Sequence, residues 1–313
     1  MEAFTDDIHL AFSFDQNYLR PFFVLLTSIF VNNPGERFHL HVVITNASAA
    51  EKSAVVDFIE ARNSYISFYE IEVSYVRSFA PHSERYGLAT FYRLLLPGMM
   101  SEDVSKFIYL DIDIVVVSRL RELFVTKMGR YPLAAVPEPV DYARPDLGLH
   151  EVGSYFNAGV LLIDLAAWQQ QRVAERAIEF LRDSPDKAIY LDQDALNAVL
   201  VNNWLPISDR FNFTWRSIPN VTNQELRDMV HSKSIIHFNT ALKPWHRFSN
   251  GRLDYLYHEY FDRSPVNAHK RFQHVKITSL DIKNFMIGRL TNYYLNNPFV
   301  SRSWRRLKHL FNS

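Results

Sequence analysis

The chain contains no cysteine, which excludes disulfides and thiolate metal sites. That absence does not identify a compartment, because a cytosolic protein can simply lack the residue. There is no excess charge either: 34 basic residues balance 34 acidic ones, so nothing global argues for nucleic acid. The nine glycines form neither Gly-x-Gly-x-x-Gly nor a phosphate-binding P-loop, so a nucleotide would have to be held another way. No basic segment followed by an apolar one opens the chain, and the expectation is no signal peptide. The longest apolar run near the start, residues 22–31, is interrupted by Thr27 and Ser28 and is too short to span a bilayer. What is present is ample core material, 48% hydrophobic over 313 residues. That suits one large domain, or one domain plus an appendage.

The most informative stretch is Phe107-Ile108-Tyr109-Leu110-Asp111-Ile112-Asp113-Ile114-Val115-Val116-Val117. Without its two carboxylates it reads as a buried strand. Two close carboxylates in apolar surroundings repel and are costly to desolvate, so something positive should meet them. In extended chain, residues two apart project to the same side. Asp111 and Asp113 could thus share one hard divalent cation, Mn2+ or Mg2+, where the strand ends. An Asp-x-Asp alone is equally compatible with a solvated turn, so the rest of the chain has to decide.

Residues 9–14 read as a first strand, followed by Asp15-Gln16-Asn17-Tyr18 and a helix over 21–31 that Asn32-Asn33-Pro34-Gly35 ends. A strand over 38–45, a helix over 49–62 and a strand over 67–73 follow. This alternation predicts an α/β domain with a mostly parallel sheet. Ligands of such sheets bind beyond the carboxyl ends of strands, which places Asp15-Gln16-Asn17-Tyr18 and the Asp111 pair on one edge. A helix is expected over 88–96 with Arg93 in it; taken alone, that segment reads Arg93 as a surface residue. A strand over 133–136 precedes a polar, proline-containing loop over 137–153, long enough to suggest a lid or binding loop.

Residues 155–164 read as another apolar strand. There Asn157, Ala158 and Gly159 would let a ligand approach the backbone closely. A helix over 166–181 leads to Asp192-Gln193-Asp194, where helix capping explains one aspartate but not both. His237 lies in a short strand over 235–238, a place more often filled by a hydrogen-bonded core histidine than by a ligand. Lys243-Pro244-Trp245-His246 follows and suits an anionic group such as phosphate. From about residue 264 the character changes. Lys270, Arg271, Lys276, Lys283, Arg289, Arg302, Arg305, Arg306 and Lys308 face only Asp281, interleaved with Phe272, Phe285, Tyr293, Tyr294, Phe299, Trp304 and Phe311. This basic and aromatic tail, residues 263–313 after a domain over 1–262, suggests a helix lying on an anionic membrane surface. A solvated or docked tail is the alternative.

Together and in order, these motifs resemble the retaining glycosyltransferases of family 8, above all the bacterial lipopolysaccharide and lipooligosaccharide galactosyl- and glucosyltransferases. The resemblance rests on Asp15-Gln16-Asn17-Tyr18, Phe91-Tyr92-Arg93-Leu94, Tyr109-Leu110-Asp111-Ile112-Asp113, Phe156-Asn157-Ala158-Gly159-Val160, Asp192-Gln193-Asp194 with Asn197, and His237 with Lys243-Pro244-Trp245-His246. It implies a single GT-A, Rossmann-like nucleotide-sugar domain and transfer of galactose or glucose from a UDP-sugar to a saccharide or glycolipid acceptor. Asp111, Asp113 and His237 would hold Mn2+, with Mg2+ as the other choice. Asp15, Asn17 and Tyr18 would meet the uracil base, and Lys243 the diphosphate. Arg93, Asn157, Asp192 and Gln193 would surround the donor sugar, with Ile112 and Ala158 also in donor contact. Asp192 and Gln193 would be the catalytic pair. The implied location is cytoplasmic, peripheral at the inner face of the cell membrane.

Thr240 stands where the family usually has a glycine near the phosphates. Two other readings remain open: a sugar-nucleotide-binding protein without transferase activity, and an Asp-x-Asp phosphatase, disfavoured because Ile114 follows the pair deep in the chain.

Overall fold

The computed structural model describes residues 7–80, 87–273 and 275–297. Ten strands order the described chain: β1 Ile8–Asp15, β2 Phe38–Thr45, β3 Tyr65–Tyr69, β4 Lys106–Leu110, β5 Ile114–Val116, β6 Leu133–Pro137, β7 Phe156–Asp164, β8 Leu205–Pro206, β9 Phe213–Thr214 and β10 Ile235–His237. Seven form one sheet in the order β3-β2-β1-β4-β7-β6-β8. The β1, β2, β3 and β4 neighbours are parallel, whereas β7 runs antiparallel to both β4 and β6. The sheet is mostly parallel, as the α/β pattern predicts, and the antiparallel β7 makes it mixed.

Alternation along the strands splits the core into two layers. Ile8, Leu10, Phe12 and Phe14 of β1 join Ile108 and Leu110 of β4 on one face. Helix Leu19–Asn32 covers them with Phe22, Leu25, Leu26 and Ile29, and helix Asp254–Arg263 packs on that helix and on β5 with Leu256, Tyr257, Tyr260 and Phe261. Phe107, Tyr109, Leu161 and Ile163 face the other layer, with Trp168, Ala177, Ile178 and Leu196 from the later helices.

Three local expectations shift. The apolar run over 107–117 is not one strand: it breaks at Asp111–Asp113, because β5 leaves the main sheet to pair with β10 in a second, three-stranded sheet, β5-β10-β9. The strand expected over 67–73 ends at Tyr69, and Val73–Arg77 is helical. The helix over 166–181 is two helices, Leu165–Gln170 and Val173–Asp183, separated at Arg172, whose φ of 51° is left-handed.

The polar loop over 137–153 is anchored rather than structureless. Arg144 pairs with Leu149 in an isolated bridge, a short turn spans Pro145–Leu147, and Leu147 and Leu149 pack against Tyr155. Helix Ser279–Asn296, started by a Thr278–Asp281 capping box, docks on the domain. Phe285 meets the ring of Phe248 at 5.6 Å, and the Asn250 amide donates to the Asn284 carbonyl. Phe299, Arg302, Trp304, Arg305, Arg306, Lys308 and Phe311 lie outside the described residues.

Candidate active site

Three chain segments converge at the carboxyl ends of β1 and β4. Because β7 is antiparallel to β4, its first residues, Phe156 to Gly159, arrive at that same edge. The Asp111 amide donates to the Gly159 carbonyl at 2.8 Å. β10 arrives from the side: His237 pairs with Ile114, and the Phe238 amide donates to the Asp113 carbonyl at 2.8 Å. The strand break at the aspartate pair thus places Asp111 against β7 and Asp113 against β10.

Asp111, Asp113 and His237 each offer a ligand atom, and these atoms lie within 4.8 Å of one another. His237 Nε2 is 3.2 Å from Asp113 Oδ1 and 3.9 Å from Asp111 Oδ2. Its other ring nitrogen, Nδ1, is 2.9 Å from Asn212 Oδ1. An amide oxygen only accepts, so Nδ1 carries the proton and Nε2 keeps its lone pair for a cation. Two carboxylates and one imidazole fit a divalent ion of the Mn2+ or Mg2+ kind. Glycine is required beside this set. A Cβ on Gly159 would sit 2.2 Å from His237 Cε1 and 2.8 Å from Asp111 Oδ2.

Cationic side chains balance the carboxylates. Lys243 Nζ lies 2.5 Å from Asp113 Oδ2 and donates to the Phe238 carbonyl. Burial opposes ionisation of Asp113, but the Lys243 ammonium beside it outweighs burial and holds its carboxyl well below the usual range. Arg93 is buried, contrary to the surface reading of its segment. Its Nη2 is 2.9 Å from Asp111 Oδ1, its Nη1 donates to the Ala158 carbonyl at 2.5 Å, and its Nε is 2.8 Å from Asp192 Oδ2. The last contact is a charge pairing without hydrogen-bond alignment, since Nε is directed to the Thr90 carbonyl. Burial alone would favour loss of the Arg93 proton, but Asp111 and Asp192 more than compensate and hold it.

Asp192 is buried and accepts from the Thr90 hydroxyl at 2.9 Å. Burial pushes its carboxyl up to about 6, against the opposing pull of Arg93. It follows Leu191, a non-glycine residue at φ 52°, so the helix Asp192–Val199 starts from a strained position. Gln193 is held at both ends, accepting from the Ala158 amide and donating to the Tyr155 hydroxyl, each at 2.9 Å. Asp194 is internal scaffolding, bonded to Arg144, Tyr155 and the Tyr190 amide. Asn197 clamps both backbone groups of Phe156.

These groups line a cavity of about 450 Å3. Arg93, Asp111, Asp113, Asn157, Asp192, Gln193, His237, Thr240 and Lys243 are all on its wall. Ile112 and Ala158 are not: their side chains are buried in the core, and both Ala158 backbone groups are engaged by Gln193 and Arg93. Asp15, Asn17 and Tyr18 also lie outside the wall. Asp15 caps its own turn by accepting from the Asn17 amide. Tyr18 sits edge-on to Trp245 at 6.1 Å; burial, then the charge of Asp113, pushes its hydroxyl up to about 12. The Thr240 hydroxyl donates to the Leu242 carbonyl, bracing the loop that carries Lys243.

Three further residues belong to the site without a sequence motif: Glu138 and Asn239 on the cavity wall, and Asn212 buried behind His237. Asn212 orients His237 and donates to Asn157 Oδ1; Asn157 in turn donates to Glu138 Oε2 at 2.7 Å. This relay ties β10 to β7. A polar residue between Phe211 and Phe213 was the available signal for Asn212. Glu138 and Asn239 sit in polar stretches with no pattern to mark them. The buried Oδ1 of Asn239 and Oδ2 of Asp192 have no hydrogen-bond partner among the described residues, and both residues line the cavity. Buried oxygens without a hydrogen-bond partner, on residues that line a cavity, suit a polar, hydroxyl-rich ligand, although Asp192 Oδ2 is already charge-paired with Arg93.

Comparisons with known proteins agree on one relationship. Residues 9–249 match glycosyl transferase family 8. The chain is 27% identical over 266 residues to general stress protein A of Bacillus subtilis, covering 81% of this chain and 92% of that protein. It is 26% identical over 280 residues to the lipopolysaccharide 1,3-galactosyltransferase of Salmonella typhimurium, covering 84% and 79%. In fold it resembles the crystal structure of the galactosyltransferase LgtC with donor and acceptor sugar analogues. The TM-score is 0.71 at 24% identity, over 82% of this chain and 96% of that one.

Proposed function

Because the chain belongs to glycosyl transferase family 8, we propose that it moves a hexose, galactose or glucose, from a UDP-sugar to a saccharide acceptor of a cell-surface glycan such as lipopolysaccharide. The transfer retains anomeric configuration and depends on a divalent cation, Mn2+ or Mg2+, held by Asp111, Asp113 and His237. One observation carries this reading. A single cavity is lined at once by that ligand set, by Lys243, and by Asp192 with Gln193.

The chemistry follows from the charges. As the bond to the sugar breaks, negative charge develops on UDP and positive charge on the anomeric carbon. The cation, when bound, stabilises the diphosphate charge. Lys243 supplies a second positive group to the same oxygens, so no protein acid need protonate the leaving group. Asp192, once ionised, stabilises the positive carbon or orients the sugar hydroxyls. Gln193 is a poor nucleophile, and its amide is already fixed by Ala158 and Tyr155. It lines the face beneath the sugar while the acceptor attacks from the side the leaving group vacates. Arg93 and Asn157 line the donor-sugar pocket but act by positioning, since their polar atoms are engaged within the chain. Tyr18, with Asp15 and Asn17, forms a base platform beside Trp245. The exposed rings of Tyr142, Tyr190 and Trp215 on the cavity wall offer faces for the acceptor sugar.

The tail extends the proposal to a peripheral membrane surface on the cytoplasmic side, where a glycolipid acceptor would be presented. Helix Ser279–Asn296 exposes Leu280, Ile282, Met286, Ile287 and Leu290 together with Lys283 and Arg289. No helix among the described residues is long and apolar enough to cross a membrane.

The test is a donor screen. UDP release from UDP-galactose and UDP-glucose is followed with and without a saccharide acceptor, and the product's mass and linkage are determined. Transfer from one UDP-hexose with an α-linked product supports the reading. UDP binding with no release or transfer from either donor would leave only a sugar-nucleotide-binding protein.

A further inference from the structure

At the other end of the sheet, three imidazoles meet. His9 of β1 is in register with His39 of β2, and His41 lies two residues further along β2, so all three share one face. Each offers one ring nitrogen, and these nitrogens lie within 4.8 Å of one another. His9 Nδ1 is 2.9 Å from His41 Nε2. The rings of His39 and His41 stack at 4.4 Å.

Outer partners fix the rings as they do around bound metals. The Tyr69 hydroxyl is 2.8 Å from His41 Nδ1, and the Ser67 hydroxyl is 2.8 Å from His39 Nε2. Both come from β3, on the same face. With Nδ1–H of His41 directed to Tyr69, its Nε2 presents a lone pair that accepts from His9 Nδ1–H. Burial pushes all three imidazoles down, His41 to about 3, and keeps them neutral. The exposed carboxylate of Asp103 acts electrostatically on all three.

We propose that His9, His39 and His41 form a second metal centre, separate from the catalytic cavity, for an imidazole-preferring divalent ion of the zinc class. Three imidazoles without thiolate suit Zn2+, Cu2+ or Ni2+ rather than Mn2+ or Mg2+. Tetrahedral zinc with bonds of about 2.0–2.1 Å needs neighbouring nitrogens about 3.3 Å apart, so the His9–His41 pair would open by only a few tenths of an ångström. His9 would move its proton from Nδ1 to Nε2, with no net proton change. Asp103 or water would complete the shell. The ion would pin β1 to β2 near their amino ends, about 20 Å from Asp15 at the strand rise of an extended chain.

The experiment uses full-length protein stripped with chelator, dialysed against Zn2+ and analysed for zinc per chain. His237→Ala removes a ligand of the catalytic set; His9→Gln and His39→Gln, singly and together, remove half-buried ligands of the new one. Thermal unfolding of the metal-free forms confirms that each variant folds. Wild type should bind one zinc more than the His9→Gln/His39→Gln double variant. In the His237→Ala background, the same double variant should lose the remaining zinc and the zinc-dependent rise in Tm. Each single variant should weaken this site at least tenfold. Unchanged zinc content and unchanged zinc-dependent Tm on loss of His9 and His39 would overturn the proposal.

Discussion

The backbone of Gly159 lies so close to His237 that a Cβ there would stand 2.2 Å from the ring's Cε1. The glycine is thus required by approach rather than by backbone angle. Gly159→Ala should displace His237 and Asp111 while the strand persists, because β7 is held by its pairing with β4 and β6. Disturbed ligand orientation costs roughly 10–100-fold in metal affinity. Titration with Mn2+, followed by its effect on water relaxation, should show that loss with an unchanged circular dichroism spectrum.

Asp192→Asn should lower kcat on the order of a hundredfold while UDP affinity changes little, since the charge acts on the sugar as it becomes cationic. The sign of the pH dependence follows from burial. Below about pH 6 Asp192 carries a proton and offers no charge; above it the carboxylate forms. The kcat of the native protein should therefore rise through about pH 6, and the residual activity of the Asn variant should lack that limb. A parallel fall in UDP affinity would make Asp192 a structural cap.

Arg93→Ala should destabilise the fold by about 3–5 kcal/mol, because it leaves the buried Asp192 and the neighbouring Asp111 without their shared cation. Arg93→Lys should recover only part of this, since one ammonium cannot reach Asp111, Asp192 and the Ala158 carbonyl together. Urea unfolding of both variants checks the order.

Truncation of the tail should begin after residue 277. The Gln273 amide donates to the Trp245 carbonyl at 2.8 Å, beside Lys243, so an earlier cut disturbs the site. The shortened protein should transfer to a soluble acceptor but sediment less with anionic vesicles. Each basic residue near such a surface contributes on the order of 1 kcal/mol, screened by salt. Equal sedimentation of both forms at low salt would leave the tail a docked structural element with no part in membrane binding.

The sequence showed the site's charges more clearly than its geometry. Asp111 and Asp113 stood out because carboxylates inside an apolar run demand a partner. The direction of β7 did not, because an apolar strand reads alike in either orientation; yet that reversal brings Asn157 and Gly159 to Asp111. Arg93 looked like a surface residue because its short helix has no long apolar face, and only the two distant carboxylates explain its burial. Glu138 and Asn239 carry no local pattern; their relevance arises from where the loops close. The break of the 107–117 run was hidden because β4 and β5 are equally apolar, each filling a core.

The central claim is that Asp111, Asp113 and His237 hold the cation on which transfer depends. The direct measurement is turnover of UDP-hexose to glycoside product after removal of divalent ions by chelation, then with Mn2+ restored, in the native protein and in Asp113→Asn. Chelation should abolish turnover and Mn2+ should restore it. Asp113→Asn should need more Mn2+ and more donor together, because one ligand charge is lost. Full turnover by the chelated native protein would contradict the account.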